Sequence, residues 1–218
     1  MIKILIDQKM DTEIALEFLG YSMAGMDFGA IIKKDHPDFT AENADSYVSN
    51  FYFEHHDEIE KSRNELSEIL TKKEEEFFTA LQNVFHSDFR NEEYKGYVSI
   101  FDLNPRFPES LSFQVCYKRS LNLRLEVAIH EISHFAFFSF CDREILELKG
   151  ADTNSGDLWE LSEVFNVILL NTLAFRFILG QEEELFYPNL KERLEKGKII
   201  FEEEKGDVAK WVRRMMKK

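Results

Sequence analysis

The chain has 218 residues, is 44% hydrophobic and 14% aromatic, and carries a formal net charge of −14. That length and apolar content allow a substantial core, while the acidic balance argues against nucleic acid, whose binding needs clustered Lys and Arg. With only Cys116 and Cys141, a disulfide framework is not indicated and a reducing compartment fits.

Residues 1–6 read as a short strand rather than the apolar region of a signal peptide. Ile14, Ala15, Phe18 and Leu19 recur at helical spacing within 11–24, and 27–32 reads as a second short strand. His36-Pro37-Asp38 is a turn signal, and 40–53 reads as a helix anchored by Tyr47, Phe51 and Tyr52. Over 57–86, Ile59, Leu66, Ile69, Leu70, Phe77, Leu81 and Val84 repeat at three and four. This predicts a long amphipathic helix with a break in it. His55 and His56 are adjacent, so on a helix they would point about 100° apart and chelate poorly.

Two strands follow at 97–103 and 111–117, joined through Pro105 and Pro108, which block further pairing there. Leu111, Phe113, Val115 and Tyr117 alternate with Ser112, Gln114 and Cys116, a half-buried pattern. A helix is predicted over 122–140, a loop over 142–157, and a second helix over 158–179 that stops at Gly180. Shorter helices follow near 189–196 and over 207–216, the last with Trp211. The apolar runs 127–141 and 164–179 are shorter than a membrane span and are interrupted by polar groups. The expectation is a cytoplasmic protein with no membrane partner. Nothing in composition marks a linker, so 1–218 reads as one domain, with a mostly helical part over 1–95 and a second part over 96–218.

The stretch with chemistry in it is Val127-Ala128-Ile129-His130-Glu131-Ile132-Ser133-His134-Phe135. On a helix, His130 and His134 lie one turn apart on the same face and can bind one metal ion. Glu131, between them, can reach water on the open side of that metal. Two histidines and a carboxylate amid Ile129, Ile132, Phe135, Phe137 and Phe138 are costly to bury unless something satisfies them. Zn²⁺ would do so. A catalytic zinc wants a third protein ligand, and the next helical segment offers Glu160 and Glu163, with 25 and 28 residues between them and His134. Asp157 and Glu160 form a capping-box pattern, which gives Glu160 a structural task. Glu163 lies a turn deeper among Leu161, Val164 and Phe165. Glu163 is favoured and Glu160 stays open.

The His-Glu-x-x-His run resembles the zincin metallopeptidases. Phe137 and Phe140 stand where the metzincin branch has Gly and His, and the companion motifs of peptide deformylases are absent. Leu161-Ser162-Glu163-Val164-Phe165 is similar to the string that carries the third ligand in the gluzincin aminopeptidases, with Val164 in place of their Gly. The resemblance covers about a fifth of the chain. It implies an α+β, mainly helical zincin-like fold with a small sheet beside the active helix. It also implies a zinc peptidase in which His130, His134 and Glu163 hold the metal and Glu131 is the general base. The partner would be a peptide or protein substrate, held along strand 111–117 as an edge. Tyr187, the one Tyr downstream of the third ligand, is the candidate oxyanion donor, and Asn166 a candidate orienter of the histidines. The rivals are a zinc hydrolase of another amide and a non-catalytic zincin scaffold that binds or regulates.

Overall fold

The computed structural model describes residues 1–217, and among these the chain is a mainly helical α+β protein with nine α-helices, a four-stranded mixed sheet and a two-stranded ribbon. The chain forms two compact units, one from residues 1–72 and 93–128, the other from 73–92 and 129–218. Among the described residues no single helix is long and apolar enough to cross a membrane.

The first unit begins with β1 (Ile2–Leu5) and α1 (Gln8–Phe18), whose start is fixed by Asp7 accepting the Met10 amide at 3.0 Å. A ribbon of β2 (Ser22–Met23) and β3 (Met26–Asp27) leads into α2 (Phe28–Asp35). The strand expected over 27–32 is therefore mostly helix. The Asp27 carboxylate accepts the Ala30 amide at 3.0 Å, and that cap outweighs the β preference of Ile31 and Ile32. After α3 (Ala44–Glu54), α4 runs unbroken over His56–Phe85. The break expected in it is absent. Its charge run makes pairs along the helix, Lys72 with Glu68 and Lys73 with Glu76, which suit an exposed helical face.

The sheet of this unit holds β4 (Tyr94–Ser99), β5 (Arg106–Phe107) and β6 (Ser112–Cys116) in the order β1-β4-β6-β5. β1 and β6 both run parallel to β4, and β5 pairs antiparallel with β6. The two strands joined through Pro105 and Pro108 are thus parallel neighbours, and β6 is buried at every position, as parallel strands usually are. Nor is β6 an open edge for a peptide. On the side away from β4, the Gln114 amide donates to Pro105 O at 2.9 Å and the Cys116 amide to Asn104 Oδ1 at 3.1 Å.

The polar side of β6 meets a buried carboxylate. Asp11, 1% exposed, accepts from Tyr52 Oη at 2.7 Å and from the Ile100 amide and Gln114 Nε2 at 2.9 Å each. Burial pushes its carboxyl from 3.8 up to about 6, against hydrogen bonds that pull it down.

The second unit contains the end of α4, most of α5 (Leu121–Glu144), α6 (Gly156–Leu170), α7 (Leu173–Leu179), α8 (Lys191–Glu203) and α9 (Val208–Met215). From Leu158 to Leu170 every α6 residue but Glu160 is buried, so this helix is core on all sides. Phe165 stacks on Phe137 with ring centroids 4.8 Å apart and meets Trp211 at 5.2 Å. α8 approaches α6 through Gly197. A Cβ there would lie 3.0 Å from Val164 Cγ1 and 3.1 Å from Ile168 Cδ1.

The second apolar run, expected as one helix over 158–179, is two helices bent by 80°. Asn171 ends α6 and turns its side chain to other main-chain groups. The bend leaves Leu173 and Phe177 exposed on α7, and Gly180, left-handed at φ 75°, closes that helix.

Candidate metal centre

α5 carries His130, Glu131 and His134, and α6 carries Glu163. The helical period puts the two imidazoles on one face, with Nε2 atoms 2.9 Å apart and rings nearly perpendicular. From α6, Glu163 Oε1 lies 3.5 Å from His134 Nε2 and Oε2 lies 3.8 Å from His130 Nε2. His134 is fully buried, Glu163 is 4% exposed and Glu131 7%.

These three side chains offer ligand atoms that all lie within 4.8 Å of one another. Bonds of about 2.0–2.2 Å at tetrahedral angles separate zinc ligands by about 3.3–3.6 Å. The Glu163–His134 edge matches that span, the Glu163–His130 edge is about 0.2 Å longer, and the His–His edge needs a small opening. Two imidazole nitrogens and a carboxylate oxygen form a donor set of the type that suits zinc. The residues present therefore fit a metal ion.

Glu160 takes no part in this group. It pairs with Arg193, which also lies 3.5 Å from Asp157. The expected capping box at Asp157 is not formed, because the helix starts two residues earlier and Ser155 is its N-cap. Glu160 is thus occupied, by an ion pair rather than by a cap. Tyr187 begins a short 3₁₀ turn and packs its ring edge-on against Trp159, centroids 4.9 Å apart, one helical turn before Glu163. Cys141 is a buried free thiol whose pKa burial pushes up.

Two further residues complete the surroundings of His130. Asn166, one turn after Glu163, donates from Nδ2 to the main-chain oxygen of His130 at 2.8 Å. It ties α6 to the α5 backbone and leaves the ring to another group. That group is Glu183, whose Oε1 lies 2.9 Å from His130 Nδ1. A carboxylate on the far nitrogen of an imidazole fixes the ring and presents Nε2 to a metal. Glu183 was not anticipated from the sequence. It sits in the run Glu182-Glu183-Glu184 after the stop at Gly180, where acidic residues usually face solvent.

Three carboxylates bear on His130. Burial alone would lower its pKa, but the charge of Glu183 and its hydrogen bond, with the nearby carboxylates of Glu163 and Glu131, hold it well above the ordinary imidazole value. The centre is built to hold positive charge, as a proton or as a cation. Compared with known protein families, curated proteins and solved structures, the chain matches none. What the centre can do follows from its donor atoms and their spacing.

Proposed function

We propose that the protein is a zinc-dependent hydrolase acting on peptide bonds, with the metal held by His130, His134 and Glu163. The observation that carries the reading is the convergence of these three side chains, from two helices, into a group able to hold a metal ion, next to the buried Glu131. A bound zinc supplies Lewis-acid chemistry, polarising a carbonyl and making water acidic near neutral pH. His130 and His134 must both be neutral at Nε2 to serve it. Glu163 supplies the negative charge that makes the group suit a divalent ion. Glu131 accepts the proton of the attacking water and returns it to the leaving amine. Tyr187 is the candidate donor to the developing oxyanion. The substrate is a peptide or protein, and two free buried thiols suit a cytoplasmic setting.

The test is zinc stoichiometry together with hydrolysis of a panel of peptides and small amides, for the wild type and for Glu131→Gln. The expected result is one zinc per chain in both proteins, with peptide turnover reduced at least about 100-fold in the variant. Turnover confined to small amides would move the substrate class. Zinc without hydrolysis in either protein would leave a metal-bearing binding scaffold, and turnover unchanged by Glu131→Gln would overturn the base assignment.

A further inference from the structure

We infer that Asn171 and Glu183 act as one positioning unit for His130, making the segment after α7 an integral part of the metal centre. The inference rests on the metal-centre reading above and extends it to residues that touch no substrate. Glu183 is pinned by its main chain. Asn171 Nδ2 donates to Glu183 O at 2.9 Å, and Asn171 Oδ1 accepts the Glu183 amide at 3.2 Å. A single side-chain amide thus satisfies both main-chain groups of the residue whose carboxylate meets His130. Asn171 is itself held by donation from Nδ2 to Val167 O at 2.8 Å, on the helix that carries Glu163.

The Glu183 side chain is 7% exposed. Its Oε1 faces His130 Nδ1, and its Oε2 is buried with no hydrogen-bond partner among the described residues. A carboxylate so placed is costly without a compensating charge, and the imidazole supplies it. This arrangement contributes little as ordinary packing. It has a clear use as a fixed acceptor, since it keeps the proton on Nδ1 and the Nε2 lone pair directed at Glu163 and His134. Pinning the backbone of Glu183 removes loop freedom that would otherwise be lost when the metal binds. The bend between α6 and α7 is what frees the Asn171 side chain for this task, so the helix break and the ring orientation are two ends of one device.

The experiment is a zinc competition titration against a chromophoric chelator, on wild type, Asn171→Ala, Glu183→Ala, the double variant and the milder Glu183→Gln. Circular dichroism establishes that each is folded. Losing such an outer partner typically costs 10–100-fold in metal affinity. The expected result is a loss of about that size in each alanine variant, a smaller loss in Glu183→Gln, and a double variant no weaker than the weaker single one. In the zinc-loaded protein, the proton resonance of His130 Nδ1–H should persist in the wild type and vanish in Glu183→Ala. Unchanged zinc affinity with only a lowered melting temperature would overturn the inference and leave the metal centre standing. Losses that add in the double variant would overturn the single-unit claim. No zinc binding by the wild type would overturn the metal centre itself, and this inference with it.

Discussion

Asp11→Asn should change how stability depends on pH without removing the network around this residue. Asp11 titrates near 6 in the folded chain against 3.8 for the ordinary carboxyl. Between those values the folded state holds a proton that the unfolded state has released, so stability falls as pH rises from about 4 to about 6 and is level on either side. At ~1.4 kcal/mol per pH unit, the shift amounts to about 3 kcal/mol lost by neutral pH. The substitution removes that titration at modest local cost. With the amide oxygen in the place of Oδ2, Tyr52 Oη and the Ile100 amide keep their acceptor. The new amide nitrogen takes the place of Oδ1, and Gln114 needs only to turn over its own amide to accept from it. Urea denaturation of both proteins from pH 4 to 7.5 isolates the effect, because other titrating groups cancel in the difference. The variant should match the wild type near pH 4 and exceed it by up to about 3 kcal/mol at pH 7. A gap that does not change with pH, or one that widens toward acid, would refute the argument that burial sets this carboxyl.

Three further outcomes are expected. Glu163→Ala should abolish stoichiometric zinc binding and Glu160→Ala should spare it, read by metal analysis after gel filtration, since Glu160 is committed to Arg193. Zinc affinity should be weak at acid pH and strengthen as pH rises through the elevated His130 pKa, then level off, because the metal needs a neutral imidazole and must displace its proton; titrations across a pH series would show the curve. Gly197→Val should lower stability by about 1–3 kcal/mol in a denaturant melt, because the added side chain meets Val164 and Ile168 where α8 crosses α6.

The three side chains of the candidate metal group were legible in the sequence because they obey the helical period. His130 and His134 repeat at one turn on α5, and Glu163 is an acidic residue deep in the apolar stretch that forms α6. The partners of those side chains were not legible. Glu183 looks like any member of an acidic run, and only the chain's return after Gly180 brings it to His130. Asn171 reads as a polar interruption in an apolar run, yet it both ends α6 and pins Glu183. Local caps and register account for the misread elements. Asp27 turned an apparent strand into α2, and the pairing of β4 with β6 in parallel could not be inferred from two alternating segments joined by prolines. The alternation in β6 was real, but its polar face is buried as well, because Gln114 serves Asp11.

The way the two units divide the chain bears on how the protein is made. Residues 73–92 leave the ribosome early but belong with 129–218. Their apolar face includes Phe77, Phe78, Leu81 and Phe85, each at most 2% exposed in the finished fold. Until the later segment is synthesised, at about 5–20 residues per second, that face has no final partner from its own unit. The nascent chain therefore passes through a period of several seconds with a greasy helix uncovered, when a chaperone can bind it or a neighbouring polysome can trap it. Synonymous changes that slow translation between residues 92 and 129 would lengthen that period and lower the soluble yield while leaving the protein's composition untouched.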